Sequence, residues 1–306
     1  MTPPFIFDRP LLRARRRRAL RLGPETFLLD RVAEDFADRL RAVLRRFDLA
    51  ADIGTPTAAV RTALVRNGAI GTMIALDPMI DAARNLSGDH AAAAAWRVVA
   101  DEEALPFADE SLDLVISGLA LQAVNDLPGV LVQIRRALKP DGLFLAALLG
   151  GDTLAELRRS FATAESELDG GVSPRVAPFP DLRDMGALLQ RAGFALPVTD
   201  TDRITVRYAT PFALLRDLRR MGAANPLAER RRVPLRRATL MRAMEVYAAH
   251  FADPDGKVRA SFDIIWLSGW SPHRGQQQPL RPGSARARLA EALGTTEIAA
   301  GEKPDR

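Results

Sequence analysis

Two acidic side chains stand just beyond short apolar runs of the chain, where they could bind a nucleoside. Asp77 comes directly after the run 72–76, and Asp101 follows the run 96–99 after one residue. A carboxylate at the end of a strand can accept two hydrogen bonds from ribose hydroxyls, and dinucleotide-binding folds place such an acid about 20 residues after a glycine turn. Asp77 lies 23 residues beyond Gly54. Asp101 could accept the exocyclic amine of an adenine, so the pattern predicts a nucleoside site.

Short apolar runs alternate with helical patterns through the middle of the chain. The runs of strand length are 49–53, 72–76, 96–99, 112–117 and 142–149. The helical patterns between them lie near 57–67, 78–86 and 127–138. Alternation at this interval predicts an α/β fold with a parallel sheet covered by helices on both faces. Because ligands bind outside the carboxyl ends of such strands, the residues after each run form the candidate site.

The flanking segments are predicted to be mainly helical. Apolar residues recur at helical spacing over 24–47, behind an arm in which residues 9–21 hold seven arginines. The arm is predicted to be either a solvated helix end or an anchor for an acidic protein or an anionic membrane surface. Thr153 and Glu156 have the spacing of a capping box, with Asp152 as an alternative cap. The later elements are predicted helices at 181–193, 211–221 and 235–251 and predicted strands at 204–208 and 258–270.

These patterns divide the chain into three parts. Residues 1–47 form a basic arm and helix, and residues 48–270 form the main domain with a helical insertion at about 211–251. Residues 271–306 are polar and are predicted to form a tail that packs little.

The composition excludes several kinds of chemistry. Cysteine is absent, which removes disulfides, thiolate nucleophiles and cysteine-based metal sites. The three histidines, His90, His250 and His273, are too scattered for ligand spacing along a helix, so no metal site is predicted. Forty of the 43 basic residues are arginine and are spread along the chain, and aromatic residues are 6%, which argues against a nucleic-acid partner. No apolar run has the length of a membrane helix, so we expect a cytoplasmic protein, with peripheral contact at the inner face of a membrane as an option.

The layout resembles the class I S-adenosylmethionine-dependent methyltransferases. The resemblance covers residues 52 to about 270 and rests on Asp77, on ADEEALPFADESLDLVIS and on LKPDGLFLAALLG. Other stretches resemble one subfamily, the methyltransferase-like assembly factors of respiratory complex I, and they are FDRPLLRARRRRA, GGDTLAELRRS, GGVSPRVAPFPDLRDMGALLQRAGF, MGAANPL and DPDGKVRASFDIIWLSGW. The malonyl-carrier-protein methyltransferases of the biotin pathway are more distant relatives. The resemblance implies a Rossmann-like fold with a mostly parallel, seven-stranded sheet and a helical insertion before the last strand.

The resemblance also assigns a cofactor site. It implies that S-adenosylmethionine binds at Asp52, Gly54, Asp77, Pro78, Met79, Asp101, Glu102 and Ser117. Asp152 and Thr153 lie where substrates enter this fold, so each is either a substrate residue or a helix cap. Arg175 is either a partner for an acidic substrate or part of a solvated connector. No catalytic residue is assigned.

The sequence departs from the family pattern at two places. The glycine loop of the fold reads D-x-G-x-G-x-G, whereas this chain has Pro56 and Ala58 at the second and third glycine positions. Pro56 has no amide hydrogen to offer a cofactor carboxylate, so we expect weakened cofactor binding of about 1–3 kcal/mol. After the fourth strand the subfamily often has a histidine–tryptophan pair, and this chain has Gln122 and Ala123.

Three functions stay open at this point. The resemblance implies an enzyme that modifies a complex I subunit or assembly intermediate, either as a methyltransferase or as an arginine hydroxylase. Methyl transfer needs mainly alignment of donor and acceptor, and it requires no dedicated base. A degenerate cofactor pocket would instead leave a non-catalytic assembly chaperone that binds its partner through the insertion and the arginine arm.

Overall fold

The computed structural model describes residues 5–66, 68–79, 96–277 and 289–296. These residues belong to two compact units, 1–272 and 273–306. The helices of the first unit are α1 (Arg9–Leu22), α2 (Phe27–Ala42), α3 (Ala59–Arg66), α4 (Leu127–Ala137), α5 (Ala155–Leu168), α6 (Leu182–Arg191), α7 (Pro211–Arg220) and α8 (Arg237–Phe251). Its strands are β1 (Phe47–Ile53), β2 (Ile70–Asp77), β3 (Trp96–Val99), β4 (Leu112–Gly118), β5 (Leu138–Gly150), β6 (Ala195–Tyr208) and β7 (Val258–Trp270). The second unit contains α9 (Leu289–Leu293).

The sheet has seven strands in the order β3-β2-β1-β4-β5-β7-β6. The first five of these pair in parallel, and β7 runs antiparallel to both β5 and β6. Buried residues form one cluster on each face of the sheet, which explains the continuous apolar runs of the central strands. The prediction of an α/β fold with a mostly parallel sheet is confirmed. The carboxyl ends of β1, β2, β4 and β5 meet at one edge and position the candidate site.

Three predicted boundaries are wrong. The helix predicted over 24–47 ends at Ala42, because Leu44 has a φ of +48° and Phe47 pairs with Ile70 as the first residue of β1. The strand predicted over 142–149 begins at Leu138, and it contains a bulge between the paired residues Leu138 and Leu143. The strand predicted over 204–208 begins at Ala195 and continues through the polar run 199–203, because β6 lies at the edge of the sheet and is partly exposed. The helix predicted near 78–86 lies almost wholly outside the described residues.

The predicted capping box before α5 is also wrong. The residue before this helix, Leu154, has a φ of +56°, and the Thr153 hydroxyl donates to the Gly150 carbonyl at 2.7 Å instead of capping the helix. The Glu156 carboxylate accepts hydrogen bonds from the amide and the hydroxyl of Ser261 at 3.2 and 2.6 Å. Both side chains therefore connect α5 to β7.

Candidate cofactor and substrate site

The loop after β1 is held from inside the protein by Asp52. The Asp52 side chain is fully buried, accepts a hydrogen bond from the Thr55 hydroxyl and pairs with Arg61 of α3. Burial raises the pKa of Asp52, while Arg61 and Thr55 act in the opposite direction. Thr55 Oγ1 in turn accepts the amide of Gly118 at 2.9 Å, which joins the loop to the end of β4. The structure thus gives Asp52 a positioning role rather than contact with a ligand.

Gly54 turns the backbone at the edge of the sheet and is covered by an acidic side chain. Its φ of +70° is a conformation that L side chains rarely adopt. A Cβ at this position would lie 2.8 Å from both Cγ and Oε1 of Glu102, which is itself only 3% exposed. A ligand that approaches the Gly54 backbone from this side must therefore displace the Glu102 carboxylate.

Asp77 ends β2 and carries a carboxylate with a strongly perturbed pKa. Its Oδ1 accepts the amide of Met79 at 2.7 Å, and Pro78 forms the turn between them. Burial raises the pKa of Asp77 to about 6, although the Met79 amide and the nearby Arg16 lower it. Such a group is mostly ionised at neutral pH, and it is suited to accept hydroxyl donors that replace lost water.

Residues 101–103 form an acidic loop after β3, and Arg9 of α1 pairs with all three of them. The guanidinium of Arg9 lies 2.8 Å from Asp101 Oδ1 and 2.8 Å from Glu103 Oε1, and it also contacts Glu102. Burial raises the pKa of Asp101, but the amide of Glu103 and the charge of Arg9 outweigh it, and the net pKa is lowered. Asp101, the predicted adenine acceptor, is therefore paired with an arginine of its own chain.

Two further arginines of α1 contact the same loop. Arg13 pairs with Asp101, and Nη1 of Arg16 lies 3.5 Å from Oε1 of Glu102. Arg9 and Arg16 are both buried. The arginine arm thus folds onto the acidic loop of its own chain, an arrangement that neither sequence-based alternative included.

A cavity of about 340 Å³, called here the central cavity, lies beyond the strand ends. Its walls are mainly apolar and come from α1, α2 and α7 and from the loops after β1, β2, β4 and β5. Pro56, Thr57 and Met79 line it next to the ends of β1 and β2. The charged side chains in its wall are Arg16, Glu25, Arg175, Arg219 and Arg220.

Asp77 lies in a neighbouring cleft of about 660 Å³ that runs along α3. Pro56 and Thr57 line both the cleft and the central cavity. The loop after β1 therefore lies between the cleft that holds Asp77 and the central cavity.

The predicted substrate residues do not come together. Arg175 lines the central cavity and pairs with Glu165, whose side chain is fully buried. Thr153 is fully buried, and its hydroxyl accepts the Asp263 amide at 3.0 Å, so it has a structural role. Asp152 is an exposed partner of Arg203 at 3.2 Å and is not among the residues that line the central cavity.

Ser117 and Gln122, at the end of β4 and just after it, have different roles. Ser117 is fully buried, and its hydroxyl donates to the Ile53 carbonyl at 2.7 Å, away from a ligand. Gln122 lines the central cavity, where its Nε2 donates to the Leu119 carbonyl at 2.8 Å. Its Oε1 is buried and has no hydrogen-bond partner among the described residues, so it can accept a donor from a bound molecule.

Comparison with known proteins places this geometry in a family. A methyltransferase-domain family model matches residues 51–146. The human mitochondrial arginine-hydroxylase NDUFAF5 is 40% identical over 289 residues, which cover 94% of this chain and 83% of the human protein. The chain belongs to the NDUFAF5 family. A malonyl-[acyl-carrier protein] O-methyltransferase of Xylella fastidiosa is 36% identical over 72% of this chain and 73% of its own length.

The fold of this NDUFAF5-family chain is that of class I methyltransferases. A Bacillus halodurans protein described as a methyltransferase superposes with a TM-score of 0.53 at 15% identity, covering 78% of this chain and 99% of its own. Across the described parts of the chain, none of the helices has the length and apolar character needed to cross a membrane. Nor do the described His, Asp and Glu side chains form a group of three that could hold a metal ion.

Sequence reasoning missed the part of the site that α1 provides in this NDUFAF5-family chain. Arg9, Arg13 and Arg16 follow a helical spacing that places them on one face, and the run Asp101-Glu102-Glu103 carries the complementary charge. That match was a usable signal. Residues 88 and 93 positions apart are nevertheless hard to pair from charge alone, because the chain holds 43 basic and 38 acidic residues.

Proposed function

We propose that this chain is an S-adenosylmethionine-dependent enzyme that modifies a protein partner during assembly of respiratory complex I. The observation that carries the proposal is the central cavity, which shares the loop Pro56–Thr57 with the cleft that holds Asp77. A cofactor whose ribose binds at Asp77 can therefore present its reactive end to the cavity. Membership of the NDUFAF5 family supports the choice of partner. The reaction is proposed to take place in the cytoplasm or at the inner face of the membrane.

The residues present fit this cofactor. Asp77 would accept the ribose hydroxyls, Asp101 would accept the adenine amine, and the Gly54 turn leaves room for a ligand once the Glu102 side chain has moved. When bound, the cofactor supplies a methyl group on a sulfonium. The chain contributes alignment and exclusion of water, through apolar walls and through Gln122, whose free Oε1 can orient a donor on the acceptor group.

Thermal unfolding tests cofactor use directly. We expect S-adenosylmethionine at a hundredfold excess over its Kd to raise the Tm by roughly 5 °C. Asp77→Ala should abolish the shift, whereas Asp152→Ala, a change at an exposed residue away from the cavity wall, should keep it. If millimolar cofactor gives no shift with the unaltered chain, the enzymatic proposal fails and the chaperone function is favoured, in line with Glu102 lying over Gly54.

The mass of the partner distinguishes the possible products. Complex I subunits from a strain without this gene are compared with those of the parent strain by intact-protein and peptide mass spectrometry. Loss of one oxygen atom from an arginine-containing peptide would establish hydroxylation, and loss of one methylene unit would establish methylation. Failed assembly with unchanged subunit masses would contradict an enzymatic role and support the chaperone.

A second candidate function is methylation of a carboxyl group on an acyl chain. The wall of the central cavity carries four arginines and one glutamate, Glu25, which is already 3.2 Å from Arg220. This balance favours an anionic acceptor with an apolar body over a guanidinium. Support comes from the malonyl-[acyl-carrier protein] O-methyltransferase relative. The candidate is tested by incubating the protein with cofactor and a malonyl thioester and assaying for the methyl ester, and an Arg219→Glu variant should lose that activity.

A further inference from the structure

The loop after β1 lacks one of the donors that a cofactor of this class needs at its amino-acid end. Pro56 has no amide hydrogen, although it lines the central cavity where that end would lie. A carboxylate taken from water into such a site needs replacement hydrogen bonds or a cation. Some other group of the chain must supply them if the cofactor binds with useful affinity.

Arg16 is the cation in the right place. It lines the central cavity together with Pro56 and Thr57, and it is 9% exposed. Its guanidinium also lies close enough to Asp77 to lower the pKa of that carboxyl. Arg16 is therefore near Asp77 and lines the same cavity as the loop Pro56–Thr57.

The ion pairs of α1 leave Arg16 weakly engaged. Arg9 has contacts at 2.8 Å to Asp101 and Glu103, whereas Arg16 has one ion-pair contact among the described residues, at 3.5 Å to Glu102. A guanidinium has five N–H donors and favours bidentate pairing with a carboxylate. Arg16 therefore retains donors for an incoming carboxylate.

The backbone of α1 fixes this side chain in position. A Cβ at Gly222 would come within 3.0 Å of the Arg16 Cα, so the helix packs directly on the loop after α7. Leu12 and Ala19, one turn away on either side, are buried at 8% and 4% exposure. The buried face of α1 thus places the guanidinium at the cavity wall, which limits the ordering that binding requires.

We propose that Arg16 binds the carboxylate at the amino-acid end of the cofactor, in place of the amide that Pro56 lacks. This assignment rests on the proposed function and names a residue for it. The Glu102 side chain lies over Gly54, and its carboxylate contacts Arg16. On binding, the cofactor carboxylate takes its place at Arg16, and Glu102 keeps its ion pair with Arg9.

A pair of ligands isolates this contact. S-adenosylhomocysteine carries the amino-acid end, and methylthioadenosine has the same nucleoside without it. Binding of both is measured by calorimetry to the unaltered full-length chain and to Arg16→Met, Arg16→Lys and Arg18→Met. Arg18 is the matched control, because it lies on the same helix, carries the same charge and is exposed.

We expect Arg16 variants to lose affinity only for the ligand that carries the amino-acid end. Arg16→Met should weaken S-adenosylhomocysteine at least roughly tenfold and leave methylthioadenosine within about twofold of the unaltered chain. Arg16→Lys should retain part of the affinity, and Arg18→Met should change neither ligand. Methylthioadenosine binding also reports that each variant has kept its folded nucleoside pocket.

Other outcomes overturn the assignment in recognisable ways. Equal weakening of both ligands by Arg16→Met would show a structural role, and unchanged S-adenosylhomocysteine binding would remove Arg16 from the site. Both results would leave the proposed function standing. If the unaltered chain binds neither ligand, the proposed function itself fails and this assignment fails with it.

Discussion

The Asp77 carboxylate is buried and yet has a pKa low enough for it to be mostly ionised at neutral pH. Its carboxylate is largely buried, which raises its pKa to about 6, and the Met79 amide at 2.7 Å offsets only part of that cost. The ionised form at neutral pH is thus less stable than in water. Ribose hydroxyls would replace the lost water. Because the carboxylate is already desolvated in the folded chain, these hydrogen bonds would add to the binding free energy of the cofactor.

Asp77→Asn is expected to stabilise the ligand-free protein at neutral pH. The folded-state pKa of about 6 exceeds the usual value of 3.8, so the protonated carboxyl favours folding below pH 3.8 and this contribution is lost as the pH rises through 6. At pH 7.5 the variant should gain up to about 3 kcal/mol in free energy of unfolding, and the gain should shrink toward pH 4. Urea unfolding at several pH values measures it.

The control for this prediction is Asp48→Asn, a change of the same kind at an exposed carboxylate in β1. It should leave the pH profile of stability almost unchanged. A gain from Asp77→Asn that is the same at pH 4 and pH 7.5 would contradict the argument, because a contribution from ionisation must vanish once the carboxyl is protonated.

At the scale of elements, a buried ion pair holds the loop after β1. Asp52 and Arg61 are 0% and 5% exposed, and the pair joins the end of β1 to the first turn of α3. The gain from such a pair is small compared with an apolar contact, but removal of one partner leaves an uncompensated charge in the core. The loop geometry is therefore expected to be sensitive to this pair.

Arg61→Met should lower the free energy of unfolding by about 3–5 kcal/mol, because Asp52 would stay buried without its cation. Chemical denaturation of both proteins measures the difference. The double variant Asp52→Asn with Arg61→Met removes the stranded charge and should recover part of the loss. A single-variant effect below about 1 kcal/mol would mean that Asp52 is already neutral in the folded chain.

Some elements can be predicted from the sequence and others cannot, for physical reasons. Strands β1, β2 and β4 are buried on both faces, so their apolar runs identify them, and β7 is found in the same way. The start of β6 escapes prediction, because β6 is an edge strand that pairs on one side only and runs through the polar stretch 199–203. In the site, acids after parallel strands follow from topology. The contribution of Arg16 does not, because it depends on how α1 packs against a distant loop.

At the scale of the molecule, the N-terminal segment 5–22 connects the acidic loop 101–103 to the insertion. On one side, α1 pairs with the acidic loop, and the Phe7 amide donates to Asn125 Oδ1 at 2.8 Å. On the other side, Phe7 pairs with Leu227 in a β-bridge, and Asp8 lies 3.0 Å from Arg230. The acidic loop and the insertion are therefore attached to one segment.

This attachment predicts that the cofactor protects parts of the chain that do not contact it. Displacement of Glu102 from above Gly54 breaks its contact with Arg16 of α1, so the segment 5–22 should respond together with the insertion loop that it contacts. We expect hydrogen–deuterium exchange of the full-length chain to show slower exchange of the amides of 5–22 and 222–230 with S-adenosylhomocysteine, in addition to those of 52–58 and 101–103. Mass spectrometry of peptides from these segments measures it. Protection confined to 52–58 and 101–103 would show that the segment 5–22 does not respond to the cofactor, and that the acidic loop and the insertion respond independently.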